Sequence, residues 1–222
     1  MTLVKTATGA LTAVALVLGL GAPIPASALS ANARFLWPKG SQIPVCWESL
    51  ESDPFFRSEV QYAVEDTWMT QSSIVFYGWD QCQPNSRGIR IKVDNTAWPM
   101  VKADGVGLDG MPGGMILNFD VDKLSKGFDK LCRGAPVFCI RAIAVHEFGH
   151  AMAFQHEQNR SDRPRADGCV KAEYQGGVRR HNELNIDRYD PFSIMNYCNP
   201  DWSGNGKLSP GDISAISEFY PL

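Results

Sequence analysis

Apolar and polar residues alternate in short runs along the first half of the chain, a pattern typical of half-buried β-strands. The clearest run is Ile89-Arg-Ile-Lys-Val93. Three further runs favour strands, at 43–47, 74–79 and 115–119. Apolar residues from Phe56 to Trp68 instead recur at helical spacing, and Asp53-Pro54 before them supplies a capping residue followed by a proline suited to the first helical turn. The first half is therefore predicted to be a mixed sheet with one helix.

The second half of the chain has a different pattern. Residues 137–154 read as a long, mostly apolar helix, whereas 160–177 are polar and rich in turn-forming residues. A last helix is predicted from Ser209-Pro-Gly-Asp212 to about Tyr220, because a serine cap precedes an apolar stripe. The chain is thus predicted to be α+β, with an N-terminal lobe of mixed sheet plus two helices and an irregular C-terminal lobe ending in a helix.

The first 28 residues have the three parts of a secretory signal peptide. Lys5 gives the positive start, Leu11 to Leu20 the apolar run, and Ala26-Ser27-Ala28 the small-residue cleavage motif. The apolar run is too short for a membrane span, and a retained anchor is the alternative. The protein is therefore expected to be secreted and extracellular, with no membrane attachment once residues 1–28 are removed.

The remaining residues, 29–222, are predicted to form a single domain, since this length buries one sizeable core. Its upper lobe is expected at about 29–155 and its lower lobe at about 156–222. The formal net charge of −3 becomes −4 when Lys5 is lost with the signal. Such a balance gives no basic surface for nucleic acid or an anionic membrane. A monomer is the expected state.

An even number of cysteines behind a signal peptide predicts disulfides. Six cysteines allow fifteen pairings, of which we favour 46–82, 132–139 and 169–198. A zinc role for them is disfavoured because the chain has no C-x-x-C pair. The six positions are Cys46, Cys82, Cys132, Cys139, Cys169 and Cys198.

Three of the four histidines fall within eleven residues, in the stretch His146-Glu-Phe-Gly-His150 of the apolar helix and at His156 just beyond its predicted end. Positions i and i+4 lie on one face of a helix, so His146 and His150 can bind one ion. A catalytic zinc needs three protein ligands and an open position, and His156 offers the third. Glu147 is then placed to act as a general base on a water molecule. The sequence predicts one zinc ion per chain.

The same stretch resembles the zinc signature H-E-x-x-H-x-x-G-x-x-H of metzincin peptidases. Glu157, Arg160, Asp162 and Arg163 are similar to the continuation of that signature in the astacin branch, and Ser193-Ile-Met-Asn-Tyr197 is similar to the astacin Met-turn. Weaker likeness occurs at Trp37-Pro38 and Leu208–Asp212.

Two positions depart from the family pattern: Ala153 replaces the signature glycine, and Asn196 replaces the Met-turn histidine. A positive φ at Ala153 would cost on the order of 1 kcal/mol. Within the continuation of the signature, Arg160, Asp162 and Arg163 are interpreted as salt-bridged scaffold, with a substrate role as the alternative.

The resemblance implies a metzincin fold with an active-site cleft between the lobes. It also implies a zinc-dependent endopeptidase that uses metal-activated water and has a protein or peptide as its partner. It implies that Tyr197 is an additional zinc ligand that swings away to stabilise the oxyanion, the alternative being a buried tyrosine with a satisfied hydroxyl. It also implies that Glu157 anchors the trimmed N-terminus, and that Gly114 to Asn118 pair with an extended substrate.

Two further questions stay open at this stage. The glycine-rich loop Asp104–Gly110 is interpreted as a turn, with a calcium site as the alternative, because it holds only two carboxylates. A secreted binding or adhesion module with a zinc-stabilised fold and no catalysis is the alternative function. The intact Glu147 argues against that alternative.

Overall fold

The structure is a computed structural model that describes residues 29–124, 132–164, 183–186 and 188–222. The predicted signal peptide and Cys169 lie outside these residues. In chain order the strands are β1 (Ser30–Asn32), β2 (Gln42–Trp47), β3 (Val75–Gln81), β4 (Ile89–Val93), β5 (Met100–Val101), β6 (Met115–Leu117) and β7 (Glu183–Asn185). The helices are α1 (Pro54–Val64, extended by a π-helical turn, Glu65–Met69), α2 (Pro136–Ala151) and α3 (Pro210–Phe219).

The upper lobe is built on a five-stranded sheet with the order β3-β2-β4-β6-β5. β2, β3, β4 and β6 run parallel, while β5 is antiparallel to β6. All four strands predicted from alternation are present. The mixed sheet was predicted as well, and helices α1 and α2 cover it with a shared core that includes Trp68 and Phe148.

The edge of the sheet differs from the prediction. β5 pairs Met100 with Ile116 and Val101 with Met115, and the N–H of Lys102 donates to the carbonyl of Gly114 at 2.8 Å. These contacts occupy the side of β6 that was expected to bind an extended substrate. At this end of the sheet the free edge is therefore β5. The prediction that Gly114 to Asn118 pair with an extended substrate is wrong, because β5 already occupies that side of β6.

Helix α2 passes through the middle of the molecule. Almost every side chain from Cys139 onward is buried, because small residues such as Ala144 and Gly149 let neighbouring elements approach all its faces. The helix ends at Ala151, three residues before the predicted end, because Ala153 takes a φ of 72° and turns the chain out of the helix.

The lower lobe ends in α3, as predicted. Ser209 and Asp212 form a reciprocal capping box at its start, and Pro210 occupies the first turn. A pairing that the sequence pattern did not predict is the antiparallel contact of β1 with β7. It joins the first described residues of the chain to the lower lobe.

Two predicted disulfides are confirmed, Cys46–Cys82 and Cys132–Cys139. Cys198 is also disulfide-bonded, and its predicted pairing with Cys169 stays a prediction. None of the described helices has the length and apolar character needed to cross a membrane.

Candidate metal centre

The three predicted ligands lie together. The Nε2 atoms of His146 and His156 are 3.2 Å apart, and those of His150 and His156 are 3.0 Å apart. Helix α2 supplies the first two histidines one turn apart, and the left-handed turn at Ala153 brings the chain back with His156. Ligands at about 2.0–2.1 Å from a tetrahedral zinc lie roughly 3.3 Å from one another. The cluster therefore fits a zinc ion.

The opposite ring nitrogens fix the orientation of two of the ligands. Nδ1 of His146 is 2.8 Å from the carbonyl oxygen of Ile194, and Nδ1 of His150 is 2.7 Å from that of Phe154. A carbonyl accepts only from a protonated nitrogen, so each Nδ1 donates and each Nε2 keeps its lone pair for the metal. Burial, reinforced by the neighbouring His150, lowers the pKa of His146 to about 3, which keeps that ring neutral.

Glu147 is 5% exposed and follows the first ligand on α2. Burial raises its pKa to about 8. A carboxylate whose pKa lies near neutrality takes up and releases a proton readily, as a general base must. The structure thus places the predicted base beside the predicted ligands.

Tyr197 lies against the same cluster. Its ring centroid is 4.2 Å from that of His156, and it stacks on His146 at 5.1 Å. Burial of the phenol, followed by the charge of Glu147, raises its pKa, so the hydroxyl stays protonated at neutral pH. The residue as a whole is 47% exposed, which does not fit the alternative of a core tyrosine.

The Met-turn packs beneath the histidines. Met195 is fully buried, and a Cβ on Gly149 would lie only 2.3 Å from its Sδ atom. Glycine at position 149 is therefore required for this close contact. Sequence reasoning did not identify Gly149 as part of the site, although the short H-E-F-G-H spacing contains it.

Sequence reasoning also missed Gln158. This side chain is 2% exposed, and its Oε1 accepts the backbone N–H of Tyr197 at 3.0 Å. The neighbouring N–H of Glu157 donates to the carbonyl of Met195 at 2.9 Å. The segment after His156 is thereby fastened to the Met-turn.

Glu157 meets the beginning of the described chain. Its Oε1 accepts the N–H of Asp190 at 2.9 Å, and its Oε2 accepts the N–H of Leu29 at 3.3 Å. Burial raises the pKa of Glu157 to about 8, while Arg160 opposes the shift. Leu29 has a φ of 82°, a strained value for a residue with a side chain.

Arg160 forms salt bridges within the segment after the histidines and hydrogen bonds to two carbonyls that are distant in sequence. Its guanidinium donates to both carboxylate oxygens of Asp162 at 2.8 Å, and to the carbonyls of Leu29 and Ile186. This arrangement agrees with the scaffold interpretation of Arg160 and Asp162.

The glycine-rich loop gives no support to the calcium alternative. Its carboxylate Asp109 is engaged by Arg87 and by the N–H of Gly88. Among the described residues, the histidines alone form a cluster suited to a metal.

Comparison with known proteins supports this reading of the site. Residues 137–210 match the model of the Astacin peptidase family. Zinc metalloproteinase nas-2 of Caenorhabditis elegans is 36% identical over 83 residues, which are 36% of this chain and 28% of that protein. Blastula protease 10 of Paracentrotus lividus is 38% identical over 105 residues, 34% of this chain and 17% of that protein. The matched stretch is thus less than a third of the length of either relative.

Solved structures extend the likeness beyond the matched stretch. Myroilysin superposes with a TM-score of 0.62 at 21% identity, covering 87% of this chain and 98% of its own. High choriolytic enzyme 1, a hatching enzyme zinc-protease from Oryzias latipes, superposes with a TM-score of 0.50 at 20% identity, covering 83% and 93%. At these identities the likeness establishes the fold alone. The histidine cluster lies in the segment that matches the family model, and in motif, site geometry and fold the chain is similar to zinc metallopeptidases of the Astacin family.

Proposed function

We propose that the protein is a secreted zinc endopeptidase, with residues 1–28 removed as a signal peptide and 29–222 forming one catalytic domain. One zinc ion is held by His146, His150 and His156. The observation that carries the proposal is the convergence of three Nε2 atoms next to a buried glutamate. A site that served only to stabilise the fold would not need an ionisable carboxyl at that place.

Zinc bound there supplies Lewis acidity, which polarises a peptide carbonyl and makes a water molecule acidic. Glu147 accepts the proton of that water and transfers it to the leaving amine. Tyr197 is a switchable ligand whose neutral hydroxyl donates a hydrogen bond to the oxyanion that develops on the substrate carbonyl. No covalent enzyme intermediate is required.

The substrate is a protein or peptide bound in extended form. The two-residue strand β5 is a free edge of the sheet and lies close to α2, the helix that carries His146 and His150. Main-chain hydrogen bonds to such an edge hold a peptide without regard to its sequence. The enzyme acts outside the cell as a monomer.

Purified protein 29–222 tests the proposal. Wild type should contain one zinc per chain and cleave a diverse peptide mixture, and a chelator should stop the cleavage. Glu147→Gln should keep the zinc and lose most activity, since only the base is removed, whereas His156→Ala should lose the zinc.

The alternative of a binding or adhesion module makes a different prediction. Wild type would then hold zinc but cleave no peptide above the level of Glu147→Gln. That result would overturn the proposed activity while leaving the metal site in place.

A further inference from the structure

We propose that Asp212, in the first turn of α3, is a positioning residue for the zinc ligand His146 and acts through the main chain of the Met-turn. The inference rests on the proposed function only in taking His146 as a ligand. Asp212 is 66 residues from His146 in the sequence, and the two side chains are joined by a chain of hydrogen bonds.

The Asp212 carboxylate is fully buried and accepts hydrogen bonds from two separate segments. Its Oδ1 accepts the hydroxyl of Ser193 at 2.7 Å. Its Oδ2 accepts the N–H of Ile194 at 2.9 Å and the N–H of Ser209 at 2.9 Å. One carboxylate therefore holds both the start of α3 and the start of the Met-turn.

The peptide unit between Ile194 and Met195 transmits this hold to the metal site. Its N–H end, on Met195, donates to Ser193 Oγ at 3.1 Å, and that hydroxyl in turn donates to Asp212. Its C=O end, on Ile194, accepts Nδ1–H of His146 at 2.8 Å. Because a peptide unit is planar and rigid, fixing its N–H end fixes the direction of its C=O end.

The direction of the Ile194 carbonyl determines the orientation of the His146 ring at the metal site. A well-placed acceptor holds the Nδ1–H tautomer and aims the Nε2 lone pair at the ion. The anionic carboxylate at the far end of the chain also polarises each hydrogen bond in turn, which strengthens the last one. Loss of such a partner typically weakens metal binding by about ten- to a hundredfold.

Asp212 also caps α3, and this second role must be separated from the first. The cap consists of the Asp212 N–H donating to Ser209 Oγ at 2.9 Å and of the Ser209 N–H donating to Asp212. Ser193 takes no part in it. Ser193→Ala therefore removes the contact that holds the N–H of Met195, leaves only the bond from the N–H of Ile194 to Asp212, and spares the cap. Ser209→Ala damages the cap and also loses the hydrogen bond from its hydroxyl to Asp190, but spares the contact between Ser193 and Asp212. Both serines are buried, so the two variants form a matched pair.

The test is zinc affinity, measured by competition with a chromophoric chelator on mature wild type, Ser193→Ala, Ser209→Ala and Asp212→Asn. We expect Ser193→Ala to weaken zinc binding about ten- to a hundredfold, with Asp212→Asn shifted in the same direction. Ser209→Ala should lower the unfolding temperature but keep the affinity within about twofold of wild type. The low-field proton signal of His146 Nδ1–H should also move in Ser193→Ala and not in Ser209→Ala.

Unchanged affinity in Ser193→Ala, or equal losses in the two serine variants, would overturn the inference, because Asp212 would then serve the fold alone. His146→Ala provides the separate check of the ligand assignment. If that variant binds zinc as tightly as wild type, the proposed metal site itself fails, and the two kinds of failure are distinguished without any activity measurement.

Discussion

Ala153 stands at the single turn that lets one segment of chain supply all three histidines, and it does so with a φ of 72°. An L-residue in this region of backbone space is strained by roughly 1–2 kcal/mol, because Cβ crowds the following carbonyl. The methyl group is fully buried, which returns about 0.8 kcal/mol of that cost. Ala153 therefore makes a small net unfavourable contribution to the free energy of folding of the zinc-binding turn.

Ala153→Gly should stabilise the zinc-bound protein, by up to about 1 kcal/mol, because strain relief exceeds the lost methyl burial. The free energy of unfolding from denaturant titration measures this. Ala151→Gly is the matched control, since Ala151 is equally buried but lies within α2. That control should destabilise by about 1 kcal/mol or more, and equal effects of the two changes would contradict the role of the backbone angle.

Residues within the zinc signature could be predicted because their relation is local. The i,i+4 spacing alone brings His146 and His150 to one helix face. Gln158 could not be predicted in the same way, since its partner Tyr197 is 39 residues away and buried amides have no spacing of their own. Only the assembled fold shows which backbone group such a side chain satisfies.

Gln158→Met should weaken the positioning of Tyr197. The thioether fills similar space but cannot accept the Tyr197 N–H, which costs about 1–3 kcal/mol when the group stays buried. We expect a lower kcat with little change in KM, because Tyr197 acts mainly on the oxyanion. In a Tyr197→Phe background the same change should have little further effect on kcat. Additive losses in the double variant would mean that Gln158 acts elsewhere.

At the scale of elements, alternation predicted the longer strands and missed β5. A strand of two residues, Met100–Val101, is too short for a period-2 pattern to be recognised. Its existence depends on β6 being present beside it. The resemblance had implied that β6 is the substrate edge, although β5 occupies that position.

Val101→Pro tests the edge directly. The N–H of Lys102 donates to the carbonyl of Gly114 on β6, so in the antiparallel pattern the N–H of the preceding residue, Val101, points away from β6 to the free edge. Proline removes that donor, and an edge strand tolerates it. KM for extended peptides should rise severalfold, while substrates of two residues, which do not reach the edge, should be cleaved as by wild type. Equal changes for both substrate lengths would indicate damage to the site instead.

At the scale of the whole molecule, the sequence predicted two lobes but not the strand pair β1–β7 that ties the start of the chain to the lower lobe. Strands of three residues are too short to show a recognisable alternation of apolar and polar residues, and the distance between them in sequence gives no sign that they pair. The same region places the N–H of Leu29 against Glu157. Resemblance had suggested an anchoring role for this glutamate, and the geometry is compatible with it.

Cleavage after Ala28 should stabilise the protein through this contact. A free amine at Leu29 becomes an ammonium paired with a buried carboxylate, and the strained φ of 82° ceases to exist once residue 28 is gone. Protein starting at Leu29 should exceed protein starting at Ala28 by about 3 kcal/mol in unfolding free energy. Glu157→Gln should remove the part of the difference that comes from the ion pair and leave the part, roughly 1–2 kcal/mol, that comes from relief of the φ strain. A difference that the substitution leaves unchanged would exclude the ion pair as a cause.

The buried carboxylate of Glu157 also affects how the protein must be processed in the cell and prepared in the laboratory. One residue spans about 3.5 Å of extended chain, so trimming one position early or late would displace the amine by more than the length of the hydrogen bond it should make. Only molecules cut after Ala28 would therefore place their amine against Glu157. Molecules cut at another position would be the first to unfold and be degraded. An affinity tag left ahead of Leu29 would reproduce that error in every molecule, so recombinant protein should carry its tag at the C-terminus.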